Sequence, residues 1–198
     1  MEKGIAFFDF DGTITKKDTL LEFIKFSKGT ASFYAGFLLY SPFLVAYKLK
    51  IITNQKAKEK VLKHFFGGMP VPEFNQYCQK FSDTILSNLV RPGAIEEIKK
   101  LQSQGIKIVI VSASPENWIR QWADKCNAEL IATELEIQDN KLTGNIKGIN
   151  CHGDEKVCRI KNDFDLSGYS TIYAYGDSSG DKPMLSLAQH AFMKPFRQ

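Results

Sequence analysis

Two aspartates stand directly after a short apolar run near the start of the chain. Residues 5–8 have the composition of a buried strand, and they lead into Asp9-Phe10-Asp11-Gly12-Thr13, where Gly12 allows the backbone to turn. In an open α/β sheet, ligands bind in the crevice outside the carboxyl ends of the strands. Two neighbouring carboxylates repel each other unless a cation lies between them, and Mg²⁺ prefers oxygen ligands of this kind. The stretch therefore predicts a metal-dependent site, although Asp-x-Asp-Gly is also an ordinary turn sequence.

Strand and helix patterns alternate in the second half of the chain. Apolar runs with the pattern of strands occupy residues 5–8, 106–111, 130–133, 171–175 and 191–193. Residues 135–146, with Asp139-Asn140 at the turn, resemble a hairpin. Alternation of this kind is typical of an α/β fold with a parallel sheet.

The region between the first and second strands has a helical pattern that no convincing strand interrupts. Asp18 or Thr19 is placed to cap its first helix. We therefore expect a helical cap at residues 16–90, inserted into a core that is formed by residues 1–15 and 91–198.

The most unusual part of this cap is residues 29–47, which include no charged residue. A bilayer-spanning helix needs roughly 20 mainly apolar residues. This segment is shorter once its ends are trimmed, and Gly, Ser and Pro interrupt it. We therefore expect that it does not span a bilayer. Two interpretations stay open: buried cap helices packed on each other, or an interfacial surface with Lys48 and Lys50 at its edge. The lysine-rich helix at residues 55–66 is expected to turn its charges to solvent.

Three later strand ends or helix starts carry polar groups of complementary kinds. Ser112 follows the strand at residues 106–111 and precedes a helix, where it could hold a phosphate or simply cap the helix. Lys156 lies in the first turn of a helix and either points into the crevice, where it would offset phosphate charge, or stays exposed. Asp177 and Asp181 lie on a glycine-flanked loop after a strand. With the first two aspartates, these groups are the ones that a phosphoryl-transfer site requires.

In this order and context the motifs resemble those of a known family. Asp9-Phe10-Asp11-Gly12-Thr13, Ser112, Lys156 and Gly176-Asp177-x-x-x-Asp181 closely resemble the four motifs of the haloacid dehalogenase superfamily of phosphatases. The resemblance covers the chain apart from the variable cap. It implies a Rossmann-like parallel sheet core with a helical cap inserted after the first motif, as in the phosphoserine-phosphatase-like branch.

The resemblance also implies a role for each motif residue. Asp9 would attack phosphorus to form an aspartyl-phosphate, and Asp11 would protonate the leaving oxygen and then activate the water that hydrolyses this intermediate. Mg²⁺ would be held by the Asp9 carboxylate, the Asp11 backbone carbonyl and Asp177. The residues implied in supporting positions are Asp181 and Thr13 beside the metal and nucleophile, and Gly12, Ser112, Ala113 and Lys156 around the substrate phosphate.

The expected substrate is a small phosphorylated metabolite, by likeness to phosphoserine phosphatases. Those enzymes carry a cap arginine that grips the substrate carboxylate, whereas residues 19–89 of this chain include lysines but no arginine. The uncharged cap segment and Asn150-Cys151-His152-Gly153-Asp154-Glu155-Lys156 resemble instead the subgroup containing phosphatidylglycerophosphatase C, which acts on a lipid phosphate. A non-catalytic phosphate-binding module is a third alternative, against which the intact motif set argues.

Composition restricts the partners and the compartment. With 198 residues and 43% apolar content, the chain can bury a core. The net charge of +4 comes from scattered lysines, so we expect no nucleic-acid partner. Four cysteines without a C-x-x-C pair, and a start without an apolar leader, favour a reducing, cytoplasmic location, with peripheral membrane contact through the cap as an open alternative. The sequence predicts no oligomeric state.

Overall fold

A parallel sheet of five strands lies at the centre of the part of the chain that the computed structural model describes, residues 3–43, 49 and 51–197. The strands of the fold are β1 (Gly4–Phe8), β2 (Lys107–Pro115), β3 (Glu129–Thr133), β4 (Leu135–Gln138), β5 (Lys141–Ile146), β6 (Thr171–Gly176) and β7 (His190–Met193). The order across the main sheet is β3-β2-β1-β6-β7, and every neighbouring pair is parallel. This arrangement confirms the predicted α/β class with a Rossmann-like sheet.

Helices precede, connect and cover the strands. They are α1 (Thr19–Lys28), α2 (Thr30–Leu39), α3 (Asn54–Phe66), α4 (Val71–Phe81), α5 (Pro92–Ser103), α6 (Glu116–Lys125), α7 (Asp154–Asp163) and α8 (Lys182–Leu185). After α4 the chain continues through a π-helical turn, Ser82–Leu86, and a short helix, Ser87–Leu89. Asp18 caps α1 as predicted, because its Oδ1 accepts a hydrogen bond from the backbone N–H of Leu21.

Strand β1 is apolar throughout because both of its faces are covered. All five of its residues are buried, and it pairs with β2 on one side and β6 on the other. Phe7 packs edge-on against Phe164 on one face of the sheet, and Phe8 stacks on Tyr175 on the other, with ring centroids 4.2 Å apart. Apolar clusters on both faces therefore fix the end of β1, where the first aspartate follows.

The helices between β1 and β2 pack on the sheet layer through one aromatic ring. Phe23 of α1 is fully buried and stacks on Trp118 of α6 with a centroid distance of 4.6 Å. It also contacts Phe66, Phe74 and Phe81 at 5.3–5.5 Å. These contacts support the expectation of a helical cap, whose boundaries at residues 16 and 90 remain a prediction.

The hairpin of β4 and β5 lies apart from the main sheet and contacts the helices. Its turn residues Asp139 and Asn140 have φ angles of 50° and 58°, which confirms the predicted hairpin turn. The hairpin also pairs with the loop after α3: Gly68 donates its N–H to the carbonyl of Leu142 at 2.7 Å, and Leu142 donates to that of Met69 at 3.0 Å. The helices and the hairpin are therefore joined by backbone hydrogen bonds.

Several sequence expectations are corrected or limited by the structure. Strand β2 continues to Pro115 with an irregular pairing beyond Ser112, so Ser112 lies within the strand and not between its end and a helix. No helix in the described ranges is both long and apolar enough to cross a bilayer. The edge lysines Lys48 and Lys50 lie outside the described residues.

Candidate active site

The carboxyl ends of β1, β2 and β6 meet the first turn of α7 around one cavity of about 230 Å³. The residues that line it are Asp9, Asp11, Asp18, Leu20, Asn54, Lys58, Ala113, Ser114, His152, Lys156, Asp177, Ser178 and Asp181. Of these, Leu20, Asn54 and Lys58 come from α1 and α3. The cavity is thus enclosed between the sheet edge and the helices that follow β1.

A buried lysine joins two buried carboxylates at the floor of this cavity. The Nζ atom of Lys156 lies 2.6 Å from Oδ1 of Asp9 and 2.8 Å from Oδ1 of Asp181. Its third hydrogen bond goes to the carbonyl oxygen of Val111 at 2.8 Å. All three N–H donors of the ammonium group are therefore used, and the side chain is 2% exposed. The alternative in which Lys156 faces solvent is excluded.

For both Asp9 and Lys156, burial shifts the pKa in one direction and the charge of the ion-pair partner shifts it in the other. Burial raises the pKa of Asp9 to about 7, and the charges of Asp181 and Asp11 add to this effect while Lys156 opposes it. Burial alone would lower the pKa of Lys156, but the two carboxylates outweigh it and raise that pKa. The lysine thus stays protonated, and the cluster keeps an excess of acidic groups that one cation does not balance.

The turn after β1 fixes the position of Asp9. The hydroxyl of Thr13 donates a hydrogen bond of 2.9 Å to Oδ2 of Asp9, and the backbone N–H of Asp9 donates to the carbonyl of Tyr175. Gly12 has a φ of 82°, and a Cβ atom there would collide with the carboxylate of Asp177. Glycine is required because the turn needs a left-handed residue and because Asp177 lies directly against it.

Asp11 lies on the other side of the cavity, beside the start of α1. Its Oδ1 accepts a 2.6 Å hydrogen bond from the backbone N–H of Thr19, and its Oδ2 lies 3.4 Å from the hydroxyl of Ser112. The Ser112 oxygen accepts a hydrogen bond from the N–H of Ser114. Asp11 and Ser112 therefore contact each other from two elements, next to but separate from the Asp9–Lys156 pair. Asp11 lines the cavity, whereas Ser112 is fully buried and does not line it.

Three carboxylates come close enough to hold a metal ion together. Oxygen atoms of Asp9, Asp177 and Asp181 all lie within 4.8 Å of one another. This all-oxygen donor set suits Mg²⁺. The guanidinium of Arg197 contacts Oδ2 of Asp177 at 2.6 Å, and the sequence analysis missed this contact because nothing in the sequence relates the end of the chain to the Asp177 loop. The side chain of Asp11 lies outside the cluster, so it could contribute a ligand only through its backbone.

A lysine from α3 enters the cavity, contrary to the expectation that this helix turns its charges to solvent. The Nζ atom of Lys58 donates to the carbonyl of Ala113 at 2.9 Å and to Oδ1 of Asn150 at 3.1 Å. Burial lowers the pKa of Lys58, while the nearby charges of Asp11 and Asp18 oppose the shift. Helical periodicity could not single out this lysine, because its partners lie in distant loops.

Asn150 connects this helix to the loop before α7. Its side chain accepts hydrogen bonds from Lys58 and Thr133 and donates one to Asn54, while its backbone N–H donates to Gln55. The side chain is almost fully buried. The N-terminal turn of α3 is therefore held to the sheet layer by the same residue that holds the ammonium group of Lys58.

Comparison with known proteins places this arrangement in a family. Haloacid dehalogenase-like hydrolases match the chain over residues 6–186. The chain belongs to this family. Protein CicA of Caulobacter vibrioides is 34% identical to this hydrolase over 198 residues, which cover 99% of this chain and 88% of the relative. A probable phosphatase of Mycobacterium tuberculosis is 29% identical, with 94% of this chain and 67% of the relative covered.

A solved structure supports the same assignment at the level of the fold. Phosphoserine phosphatase with an analogue of its phospho-aspartyl intermediate matches this hydrolase with a TM-score of 0.71 at 16% identity, covering 100% of this chain and 96% of that chain. Helices between the first and second strands are thus part of a fold shared with phosphoserine phosphatase. The resemblance inferred from the four motifs is confirmed.

Side chains from the four motifs of this hydrolase lie close together. Those that line the cavity are Asp9, Asp11, Lys156, Asp177 and Asp181, and Ser112 is fully buried against Asp11. Lys156 contacts both Asp9 and Asp181 directly, and Asp177 lies beside them. Ser112 faces Asp11, and the carbonyl of Ala113 binds Lys58. His152 also lines the cavity, where burial and then the charges of Lys156 and Lys58 lower its pKa.

Proposed function

We propose that this hydrolase is a Mg²⁺-dependent phosphatase that cleaves phosphate monoesters through an aspartyl-phosphate on Asp9. The observation that carries the proposal is the buried Asp9–Lys156–Asp181 arrangement at the floor of a cavity that Asp11 also lines, with Ser112 beside Asp11. A phosphoryl group is a spread-out anion, so its transfer depends mainly on positioning and charge neutralisation. The cavity supplies groups that would position the phosphoryl group and groups that would neutralise its charge.

Asp9 is the proposed nucleophile. Its carboxylate is held from both oxygens, by Thr13 at 2.9 Å and by Lys156 at 2.6 Å, and this fixes its direction. In the first step a carboxylate oxygen forms a bond to phosphorus as the bond to the ester oxygen breaks. Lys156 has no unused donor, so its role would be to keep Asp9 anionic and oriented. We therefore revise its implied role from direct phosphate binding to screening.

Asp11 is the proposed acid and base. Protonated, it would give its proton to the departing ester oxygen; ionised, it would take a proton from the water that attacks the aspartyl-phosphate. The Thr19 N–H, which donates to Oδ1 at 2.6 Å, orients this carboxylate. The orientation of the Asp11 carboxylate therefore depends on the position of α1.

The carboxylates of Asp9, Asp177 and Asp181 and the backbone carbonyl of Asp11 are the groups that would hold Mg²⁺. When bound, the ion would neutralise phosphoryl and carboxylate charge as phosphorus is attacked. Asp181 also organises its own loop, because its Oδ2 accepts hydrogen bonds from the N–H groups of Asp177 and Ser178. Lys156 and this loop would keep the acidic cluster in place.

The remaining charge of the substrate phosphate would be met by Ser112 and Lys58. Ser112 offers a hydroxyl beside Asp11, and two of the three N–H donors of Lys58 go to Ala113 and Asn150 in the described structure. A third donor is then open to a phosphoryl or leaving-group oxygen. Lys58 would supply a cap cation where phosphoserine phosphatases use an arginine, without the bidentate geometry that suits a carboxylate.

The cavity of about 230 Å³ favours a small phosphorylated metabolite as substrate. A lipid phosphate is a second candidate, favoured by the exposed leucines of α2. Hydrolysis of phosphoserine, sugar phosphates and phosphatidylglycerophosphate, measured side by side, would distinguish the two. A non-catalytic phosphate-binding module is disfavoured because every motif residue is present and assembled.

The proposal is tested by Mg²⁺-dependent release of phosphate from an aryl phosphate. Asp9→Asn should lower the rate by at least about 10³-fold, because an amide is a poor nucleophile. Asp139→Asn is a matched control on the hairpin turn, where asparagine tolerates the positive φ, and should keep full activity. Undiminished activity in Asp9→Asn would exclude the proposed nucleophile.

A further inference from the structure

Helix α2 is apolar on all sides but is packed on only one. Its sequence, TASFYAGFLL, includes no charged residue, and only Phe33 and Gly36 are buried. Tyr34, Leu38 and Leu39 are 63%, 77% and 65% exposed. A helix that is apolar all round is ordinarily covered on every side. The outer residues of α2 therefore form a surface that lacks a covering layer in the described structure.

A groove bordered by lysines lies at Phe43, four residues after the end of α2. Phe43, which is 41% exposed, lines a groove of about 330 Å³ together with Ile52, Asn145 and four charged residues of α3. Those four are Lys56, Glu59, Lys60 and Lys63. We define the α2 face as Tyr34, Leu38, Leu39 and Phe43, and the lysine border as Lys56, Lys60 and Lys63.

The charge at the edge of the groove comes mainly from the three lysines of the lysine border. Glu59 accepts hydrogen bonds from Gln55 and from the N–H of Ile146, so its carboxylate is turned to the protein. The ammonium group of Lys60 lies 5.7 Å from the ring centroid of Phe43, so a positive charge lies beside this exposed aromatic ring. Exposed apolar side chains, with lysines beside Phe43, match the two layers of a bilayer surface, which are acyl chains and anionic headgroups.

We propose that the α2 face and its lysine border dock on an anionic lipid bilayer. The charge of the border argues against a second copy of this chain, because a two-fold dimer would bring the same lysines together from both sides. The exposed leucines argue against a polyanion alone, which would leave them uncovered. An anionic bilayer satisfies both parts of the surface. The inference does not depend on the proposed phosphatase activity.

Docking would place the active-site cavity near the lipid surface. Helix α3 carries the border lysines on one side and presents Lys58 and Asn54 to the cavity on another. Its 13 residues span about 20 Å, so the two surfaces are separated by no more than about the length of one helix. A substrate produced or held at the membrane would be within reach of the cavity.

Flotation of the full chain with vesicles tests the proposal. Vesicles of phosphatidylglycerol and phosphatidylcholine should carry the protein to the top of the gradient, and raised salt should weaken this binding. The double variant Leu38→Glu/Leu39→Glu should bind at least about tenfold more weakly, since it loses apolar insertion and adds negative charge. Ile137→Glu is the matched control: Ile137 is 52% exposed on the hairpin, and this variant should bind like the parent.

Lys56→Gln/Lys60→Gln tests the charged border separately and should lower binding by about tenfold or more. Aryl-phosphate hydrolysis by each variant checks that the fold is intact, because none of these side chains belongs to the proposed site. Absence of flotation with anionic vesicles would overturn the proposal, as would equal binding by the double glutamate variant. A dimer in light scattering that dissociates in that variant, without vesicle binding, would assign the face to self-association instead.

Discussion

Among single residues, Lys58 owes its position at the cavity to tertiary packing. It lies on a helix whose other lysines line an outer groove or face solvent, yet its ammonium group contacts Ala113 and Asn150 at the cavity. Sequence spacing alone does not distinguish it from Lys56 or Lys60. What distinguishes it is the position of α3 above the end of β2.

The first prediction concerns this lysine. Lys58→Ala should lower kcat/KM for an aryl phosphate by about 10- to 100-fold, because a charge that neutralises the transferring group is lost from a partly buried site. Lys56→Ala, two residues earlier on the same helix, should leave the value unchanged with this soluble substrate. Steady-state kinetics measures both, and Lys58→Arg should recover part of the loss. Equal values for Lys58→Ala and Lys56→Ala would remove Lys58 from the site.

A second prediction concerns Gly12. Gly12→Ala should abolish most activity and weaken Mg²⁺ dependence, because the added Cβ would displace the carboxylate of Asp177. Gly105→Ala is the control: Gly105 has a similar φ of 76°, but a Cβ there meets no atom within 4 Å. Both variants should lose about 1 kcal/mol of unfolding free energy, since both place alanine at positive φ. If activity falls equally in both, backbone strain and not the contact with Asp177 is the cause.

At the scale of elements, the contact between α3 and β5 fixes the helices over the cavity. A Cβ atom at Gly144 of β5 would overlap the backbone of Lys63 in α3, so the helix lies directly on the strand. The position of Lys58 depends on this close approach, because the same helix carries both lysines.

A third prediction follows from that contact. Gly144→Ala should lower the free energy of unfolding by about 2 kcal/mol or more, since a backbone atom cannot move aside as a side chain can. Gly148→Ala has a comparable φ of 76° and open space around its Cβ, so it should cost only about 1 kcal/mol. Denaturant unfolding measures the free energy of unfolding of both variants, and the difference between them is the contribution of the contact between α3 and β5. Equal unfolding free energies for the two variants would mean that α3 can move away from β5 at no cost in free energy.

Elements of the sheet could be predicted from the sequence to a large extent, because buried strands and glycine-rich turns are local signals. The strand at residues 106–111, the hairpin turn at Asp139-Asn140 and the first turn of α7 before Lys156 were predicted in this way. The extension of β2 to Pro115 was not, since pairing with β3 and not composition decides where a strand ends. The entry of Lys58 and the contact of Arg197 with Asp177 depend on tertiary packing, which helical periodicity does not report.

At the scale of the whole molecule, the fold gathers like charges at one place. Asp9, Asp177 and Asp181 approach within 4.8 Å of one another in a chain whose net charge is +4. Lys156 balances part of this charge, and a bound cation would balance more of it.

A fourth prediction is that Mg²⁺ stabilises the folded protein. An ion that binds only the native acidic cluster should raise the melting temperature in proportion to its occupancy. Asp177→Asn should reduce this rise, whereas Asp139→Asn on the hairpin should not. Thermal unfolding with and without Mg²⁺, after treatment with a chelator, measures the effect independently of catalysis. A rise of the same size in both variants would place the bound ion elsewhere.

If the phosphoryl group is transferred to Asp9, the aspartyl-phosphate intermediate can be trapped chemically. The enzyme is mixed with an aryl phosphate and Mg²⁺, quenched in acid and treated with borohydride, which reduces an acyl phosphate to an alcohol. Mass spectrometry should then find homoserine in place of aspartate at position 9, with more of it in Asp11→Asn, because that variant hydrolyses the intermediate slowly. Reduction at another carboxylate, or an unmodified Asp9 in an enzyme that turns over, would contradict the account.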